Sequence, residues 1–444
     1  MQAADVIHPT AAPPVRLARP GVLVTLLTLG FTFAYIDRHL MSLVVTPIKA
    51  SMNLSDTQIG LLLGSSFSLF YVLASLPLAW LSDRGDRPKL IAICIAAWSA
   101  MTMLCGLATT FVQLMLARIG VAIGEAGLPP AALTLMADQL DRKQLARATS
   151  CFMLAPFVGG GLVLMVGGPL YLALSDWAMP SLVWPEAIEP WQALFLILGL
   201  PGFPLALLIA ASLRESRPTA AASRERPSAK PLIRLYRSDW RFYCVYTLAI
   251  ALSVMLLNAH IAWLPAALMR AHGIDESAMG LSFGPVYLIA GALGTLTAGA
   301  VISRVADARM AMRTLRFMRL CALALILPAI FAPLAPTLIT NLALLAVAVF
   351  LTSAIVSMSS IPLQVAAPHA LRAQTIATTT LAASLLGTGL GPLLVGALSD
   401  AFSGTEQPLS NALAVIAAAT VPAVAVLMTG VIRHVARTQP DGAV

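Results

Sequence analysis

Long apolar stretches, separated by short polar ones, follow one another along almost the whole chain. Twelve of these stretches contain about 20 residues, the length at which an α-helix crosses a hydrocarbon core of about 30 Å. They lie near residues 21–46, 57–81, 89–109, 111–138, 146–173, 191–213, 241–269, 278–303, 317–334, 338–364, 372–398 and 410–432. The pattern predicts an all-α polytopic membrane protein with twelve transmembrane segments, numbered in chain order.

The composition excludes most other classes of protein. Hydrophobic residues occupy 59% of the 444 positions and charged residues 11%, whereas soluble domains carry about 25% charged residues. This excludes a soluble enzyme, a disordered chain, a secreted disulfide scaffold and a membrane β-barrel, whose strands alternate apolar and polar positions. The five cysteines lie in or beside apolar stretches without a Cys-x-x-Cys spacing, so we interpret them as packing residues.

The basic residues are distributed unevenly between the two ends of the predicted segments. Twenty-four of the 28 Lys and Arg residues fall in or beside the tails and loops on the side that would hold both termini. Such an excess marks the cytoplasmic side of a membrane protein, so we predict that the N- and C-termini are cytoplasmic. The net charge of +8 is then a topology signal, and we expect no nucleic-acid partner.

A polar stretch in the middle of the chain divides the segments into two sets of six. We predict a cytoplasmic N-tail (1–20), an N-terminal six-helix bundle (21–213), a cytoplasmic linker (214–240), a C-terminal six-helix bundle (241–432) and a cytoplasmic C-tail (433–444). The end of the linker, 231–240, could form a short helix on the membrane surface with Arg234, Arg237 and Arg241 beside anionic headgroups. The alternative is a solvated linker that only sets topology.

The two sets of six segments contain similar sequence stretches at corresponding positions. The stretch 81–87 follows segment 2, and the similar stretch 302–307 follows segment 8. Segment 5 contains 155–160, and segment 11 contains the similar stretch 391–396. Transporters built from such repeats hold their substrate at the interface between the halves. The repetition therefore favours a transporter with a central site.

Several motifs carry a resemblance to a known family. The stretch AWLSDRGDRP (79–88) is similar to the cytoplasmic motif of the major facilitator superfamily and keeps its Asp83, Arg84 and Arg87. The pattern Arg118-x-x-x-Ala122-x-Gly124 resembles that superfamily's Arg-bearing pattern in segment 4. Four further stretches resemble the spinster-like branch: YIDR (35–38), LSDTQIGL (54–61), ARIGVAIGEAG (117–127) and GLGP (389–392).

This resemblance implies a fold, a location and a function. It implies a major facilitator fold, two six-helix bundles around a central cavity, as a multi-pass monomer in a bacterial inner membrane. It also implies proton-linked movement of lysolipids, sphingolipids or other amphipathic organic molecules, so the expected partners are that substrate, protons and membrane lipids. The sequence has no phosphate-cradling loop, nucleophile triad or metal-ligand cluster, so we expect no enzyme activity, no cofactor and no metal.

The resemblance also assigns a gate on the cytoplasmic side. Asp83 is expected to face the N-terminus of segment 11, where the helix dipole favours a negative charge. Arg84 or Arg87 is expected to reach Asp138, the carboxylate at the end of segment 4. Such a latch would close the cytoplasmic side, and a loop that only sets topology is the alternative.

Segment 5 is dense in small residues and helix breakers. Pro156, Gly159 and Gly160 predict a hinge and a close approach between helices. The superfamily's Gly-Pro form of this motif is associated with antiporters, but Ala155 stands in place of the Gly.

Two carboxylates lie well inside the predicted segments, and each has an arginine close in sequence. Asp37 is followed by Arg38, and Glu125 lies seven residues, nearly two helical turns, after Arg118. A charge at the membrane centre costs about 2.5–3.5 kcal/mol on insertion scales, so these groups should face a partner or a watery cavity. We hypothesise that both carboxylates titrate during transport, and a static ion pair that only joins two helices is the alternative.

Other polar residues inside the segments are candidates for the cavity wall. Tyr35 precedes the first charged pair, His39 follows it, and Asn258 and His260 are the best candidates in the second half, each with a helix–helix hydrogen bond as its alternative role. The leading function is proton-coupled transport of an amphipathic solute or lysolipid. Three alternatives stay open: an organic-anion symporter that binds its substrate through Arg38 and Arg118, a passive lipid scramblase and a non-transporting sensor.

Overall fold

The computed structural model describes residues 19–176, 188–215, 229–303 and 310–438. In this part of the chain, twelve helices are long and apolar enough to cross a membrane, one for each predicted segment. We number them α1 to α12: Pro20–Leu43, Asp56–Arg84, Arg87–Gly106, Phe111–Gln139, Lys143–Ser175, Pro190–Ser212, Trp240–His272, Glu276–Val301, Met310–Leu334, Leu338–Ala366, His369–Ala401 and Pro408–Thr438. The predicted all-α fold with twelve membrane-spanning helices is confirmed.

Polar loop residues determine where several of these helices begin. Ser55 accepts a hydrogen bond from the backbone N–H of Gln58 at the start of α2, and Thr110 does the same with Gln113 at the start of α4. In both cases the glutamine side chain bonds back to the N-cap backbone. These reciprocal bonds satisfy N–H groups that the first helical turn leaves unpaired. The helix starts are therefore encoded locally.

The structure differs from the prediction at several segment ends. The loop after α1 contains a short helix, Val45–Met52, that was not predicted. The linker ends in a helix, Ala229–Ser238, which we call the linker helix and which agrees with the short helix considered for 231–240, shifted by two residues. Helix α12 continues to Thr438, into the predicted C-tail. Its last turns carry Arg433, His434 and Arg437, whose polar side chains allow the helix to continue beyond the apolar part of the bundle. Of the predicted tails and linker, residues 1–18, 216–228 and 439–444 lie outside the described residues.

Since the helices alternate in direction, α1 begins and α12 ends at the same face of the bundle. We call this the terminal face and the opposite one the distal face. Between the halves, α2 packs on α11 and α5 packs on α8. Close to the distal face, the contacts are backbone to backbone: a Cβ on Gly60 would lie 2.5 Å from the Pro392 carbonyl oxygen, and one on Gly168 2.2 Å from that of Glu276.

The two halves separate toward the terminal face. Hydrogen bonds between described residues of the two halves extend from Asp56 and Asp400 at the distal face to Ser68, whose hydroxyl donates to the Ser384 carbonyl at 3.3 Å. Ser68 lies about 18 Å along α2 from its distal end at 1.5 Å per residue. Among the described residues, hydrogen bonds therefore join the halves in the distal part of the interface and none joins them in its terminal part.

Two π-helical stretches face each other where the halves meet. They are Leu61–Ser65 in α2 and Ala383–Gly389 in α11. The Ser65 hydroxyl donates to the Gly389 carbonyl at 2.9 Å, and a Cβ on Gly64 would lie 2.5 Å from the same oxygen. Such bulges occur often at functional sites because they re-aim a helix locally. They allow α2 and α11 to approach closely along this part of the interface.

Candidate functional site

Helices α1 and α4 bring four charged side chains together in the N-terminal half. The Arg38 Nε donates to Glu125 Oε2 at 2.6 Å, and an Arg118 guanidinium nitrogen lies 3.9 Å from Asp37 Oδ1. Each pair joins one helix to the other, so the ion pairs are crossed. Consecutive residues on a helix point about 100° apart, which allows Asp37 and Arg38 to meet different partners.

Three members of this four-charge cluster are buried, and the fourth, Arg38, is half-buried. Asp37 is 5% exposed, and Arg118 and Glu125 are each 1% exposed. Thr102 of α3 donates its hydroxyl to Asp37 Oδ2 at 2.7 Å. Breaking one partner of a buried ion pair leaves an uncompensated charge, at a cost of about 3–5 kcal/mol. The four side chains therefore depend on one another.

The hydrogen bonds of the cluster are incomplete. Asp37 Oδ1, Glu125 Oε1 and two nitrogens of Arg118, Nε and one terminal nitrogen, are buried and have no hydrogen-bond partner among the described residues. Buried polar groups normally find partners, so such exceptions call for a physical reason. The cluster retains two acceptors and two donors that can engage a proton, water or a charged ligand group.

Aromatic rings surround the Arg38 guanidinium. Its carbon lies 5.0 Å from the ring centre of Tyr35, 4.7 Å from that of Phe67 and 5.0 Å from that of Tyr71. Arg118 lies 5.2 Å from the Phe67 ring. Each such contact attracts the cation by about 0.5–2 kcal/mol. Phe67 and Tyr71 were not among the predicted site residues, although their i, i+4 spacing on α2 is a signal for one shared helix face.

The polar candidates of the second half form their own interactions. Asn258 donates to the Val254 carbonyl of its own helix at 2.9 Å, and His260 is buried with its Nε2 unpaired among the described residues. No hydrogen bond or ion pair between described residues joins either side chain to the four charges. His39 bonds the Tyr35 carbonyl through Nδ1 at 2.8 Å, and its ring lies 5.3 Å from that of Tyr287 on α8.

Near the terminal face, Arg87 is the centre of a second ion-pair network. It is fully buried and donates to Asp138 Oδ2 at 2.7 Å, and it also pairs with Glu215 just after α6. It thereby links the start of α3 to the ends of α4 and α6. The Arg87–Asp138 contact is the one that the resemblance implies, whereas Glu215 was not among the predicted residues.

The other predicted gate residues do not reach across to α11. Asp83 is exposed and forms no hydrogen bond or ion pair with a described residue, and Arg84 lies over the Trp80 ring at 4.1 Å. The expected contact of Asp83 with the N-terminus of α11 is therefore not formed in this conformation. The physical reason is that the two halves are apart at this face.

The small residues of α5 mediate helix contacts. A Cβ on Gly159 would lie 2.5 Å from the Thr32 carbonyl oxygen of α1, and one on Gly160 would lie 2.6 Å from the Tyr287 ring of α8. Pro156 lies inside the helix, which continues without interruption from Arg142 to Ser175. The two glycines thus hold α5 close to both neighbours, and a hinge at this position stays a prediction.

A third ionic cluster joins the halves at the distal face. Asp56 at the start of α2 accepts hydrogen bonds from Lys49 at 2.6 Å, from Arg270 of α7 at 3.0 Å and from Ser399 of α11 at 2.7 Å. Asp400 accepts from the backbone N–H groups of Asp56 and Thr57, at the positive end of the α2 dipole. Sequence reasoning missed this cluster because its members lie up to 344 positions apart.

Comparison with known proteins relates this chain to a family of transporters. The profile of the family described as Major Facilitator Superfamily matches residues 27–392. An MFS-type efflux pump of Mycolicibacterium smegmatis is 30% identical over 65% of this chain and 64% of the pump, and the sphingosine-1-phosphate transporter SPNS2 of Danio rerio is 26% identical over 65% of this chain and 58% of that transporter. The chain thus spans less than two thirds of the length of either relative.

A solved structure covers the chain more completely. The crystal structure of a bacterial homolog of the human lysosomal transporter Spinster, described as inward-facing and occupied, has a TM-score of 0.75 and 27% sequence identity, covering 98% of this chain and 99% of that one.

Proposed function

The chain belongs to the major facilitator superfamily of membrane transporters, and from that premise we propose that it moves an amphipathic organic solute or lysolipid by proton-coupled alternating access. The observation that carries this proposal is the crossed pairing of Asp37 and Glu125 with two arginines, which leaves carboxylate oxygens and guanidinium nitrogens without hydrogen-bond partners among the described residues. Paired intramembrane charges commonly mark a substrate or proton pathway.

Protonation and arginine availability are linked in this cluster. An ionised Glu125 holds Arg38, and a protonated Glu125 loses the charge that attracts the guanidinium. The same reasoning applies to Asp37 and Arg118. An arginine released in this way can take the carboxylate or phosphate of a substrate. Proton binding and substrate binding thereby act on the same side chains.

The conformation supports an alternating-access cycle. Contacts between the halves are concentrated toward the distal face, and the terminal part of the interface is unbonded between described residues. The excess of Lys and Arg on the terminal side favours a cytoplasmic position for this face and for both termini. We infer that this state is open to the cytoplasm and that the protein lies in a bacterial inner membrane.

The surroundings of Arg38 favour an amphipathic substrate. Its positive charge becomes available for an acidic headgroup when Glu125 is protonated, and the rings of Tyr35, Phe67 and Tyr71 around it provide apolar surface for the adjoining part of the molecule. The relative named a sphingosine-1-phosphate transporter acts on a molecule of this kind.

An organic-anion symporter is the second candidate. The observation that favours it is Arg118, which is buried and keeps two N–H-bearing nitrogens without a hydrogen-bond partner among the described residues. A guanidinium binds a carboxylate with two parallel hydrogen bonds, so Arg118 could hold a small organic acid that has no alkyl chain.

Lysophospholipid flux into proteoliposomes, with and without an imposed pH gradient, tests the proposal. We expect flux that follows the gradient, and loss of this dependence in Glu125→Gln, because an amide cannot exchange the proton. The matched control is Glu406→Gln, which removes an exposed carboxylate from the loop between α11 and α12 and should leave the flux unchanged. Flux that ignores the gradient in the unmodified protein would indicate a scramblase, and uptake of small organic acids alone would indicate the symporter.

A further inference from the structure

A groove lies between the linker helix (Ala229–Ser238), α7 and α11 near the terminal face. Its volume is about 530 Å³, within the range of about 300–1,000 Å³ that ligand pockets have. Most of its lining is apolar or aromatic, and Arg237 is its one charged lining residue among the described residues. This groove is separate from the four-charge cluster of α1 and α4.

The linker helix that forms one wall is fixed to the C-terminal half. Leu235 and Tyr236 pack against the buried core of that half. The Tyr236 ring lies 5.2 Å from the Tyr243 ring of α7, and its hydroxyl is 3.5 Å from the Thr375 carbonyl of α11. The groove is therefore built by tertiary contacts between three elements.

The groove presents exposed apolar side chains at the edge of the membrane-spanning region. Ile233 is 50% exposed and Trp240 is 56% exposed, and Cys244, one turn further into α7, is exposed as well. Exposed apolar side chains cover the membrane-facing surface of this protein generally, and here they line a groove that has the volume of a ligand pocket. An acyl chain is the membrane component that could cover these side chains.

Positive charge borders the same surface. Arg237 lines the groove, the Arg241 guanidinium lies 5.8 Å from the Trp240 ring, and Arg234 is exposed on the linker helix. The neighbouring acidic residue, Asp239, is engaged elsewhere: it accepts from the Phe242 backbone N–H at 3.2 Å and is 2.7 Å from His434 Nε2. The described residues around the groove therefore attract an anion.

We propose that this groove binds one anionic glycerophospholipid from the leaflet at the terminal face. An acyl chain lies over Ile233, Trp240 and Cys244, and the headgroup phosphate contacts Arg237 and Arg241. Apolar surface and positive charge side by side select a lipid, since a soluble anion would leave the apolar side chains uncovered. The proposal does not depend on the transport mechanism, because the site contains none of the residues assigned to it.

Native mass spectrometry of the full chain tests this proposal. The protein is released from nanodiscs that contain equal amounts of phosphatidylglycerol and phosphatidylcholine, and the retained lipids are counted. We expect one phosphatidylglycerol retained in preference to phosphatidylcholine. Each arginine near an anionic headgroup contributes about 1 kcal/mol, or about fivefold in affinity, so Arg237→Gln with Arg241→Gln should weaken retention about 25-fold. The control variant, Arg313→Gln with Arg316→Gln, removes two exposed charges from the terminal end of α9 and should retain the lipid.

A second variant separates the two parts of the site. Cys244→Phe fills the groove without changing charge, so it should also displace the lipid, while added inorganic phosphate should not. Equal retention of the two lipids, or retention unchanged in both the Arg and the Cys244 variants, would overturn the proposal. Displacement by inorganic phosphate would do so too, because it would identify a plain anion site. Size-exclusion elution identical to the unmodified protein shows that each variant is folded.

Discussion

The crossed pairing of Arg38 with Glu125 and of Arg118 with Asp37 makes each of these side chains depend on a residue of the other helix. We therefore expect Arg38→Met or Glu125→Gln alone to lower stability, by up to about 3–5 kcal/mol where a buried ion is left without its partner. The double variant should lose less than the sum of the two, because no unpaired charge remains. Thermal unfolding of the four proteins in detergent measures this coupling, and additive losses would contradict the pairing.

At the same scale, the sequence predicted which charged residues lie inside the helix bundle better than it predicted their surroundings. Asp37 and Glu125 stand out because ionisable groups are rare in apolar segments, and the structure places them beside Arg38 and Arg118. Sequence distance suggested partners within each helix, whereas the ion pairs run between helices. The hydroxyl of Thr102 could not be anticipated, because its contact with Asp37 depends on how α3 packs against α1.

At the scale of elements, the π-helical stretches of α2 and α11 form a contact that belongs to the distally closed state. In Gly64→Ala the new Cβ would lie 2.5 Å from the Gly389 carbonyl oxygen, which is too close for a carbon–oxygen contact. Overpacking costs about 1–3 kcal/mol, and 1.4 kcal/mol corresponds to about a tenfold change in an equilibrium. We expect the population open to the terminal face to fall about tenfold relative to the alternative state.

Electron spin resonance distances between labels at positions 147 and 299, on α5 and α8 near the terminal face, measure that shift. A larger share of short distances in Gly64→Ala is the expected result. Gly430→Ala is the matched control, because a Cβ there meets nothing within 4 Å. An unchanged distance distribution in Gly64→Ala would mean that the α2–α11 contact does not distinguish the two states.

The positions of the helices were largely predictable from the sequence, but their departures from regular α-helical geometry were not. Apolar length located all twelve, and capping residues such as Ser55 and Thr110 mark where helices begin. The π-helical stretches at Leu61–Ser65 and Ala383–Gly389 have no such local signal, because they are set by the partner helix across the interface.

At the scale of the whole molecule, the resemblance to the major facilitator superfamily and its spinster branch is confirmed by the family match and by the solved Spinster homolog. Which face is open could not be predicted, because alternative conformations of one protein commonly differ by only a few kcal/mol, too little for a sequence pattern to decide. The gate residues illustrate this: Arg87 pairs with Asp138 within one half, whereas Asp83 stays exposed while the halves are apart.

The orientation of the whole molecule in the membrane determines whether the terminal face, where the halves are apart, lies in the cytoplasm or outside the cell. If the terminal face is cytoplasmic, a cysteine at Thr438, at the end of α12, should react with a membrane-impermeant maleimide only in inside-out vesicles. A cysteine at Ser403, in the exposed loop after α11, should react in intact cells. Both variants are made with the exposed Cys151 and Cys244 replaced by serine, so that the new thiol dominates the signal. The reverse labelling pattern would place the terminal face outside the cell, and the bias of Lys and Arg would then have misled the topology prediction.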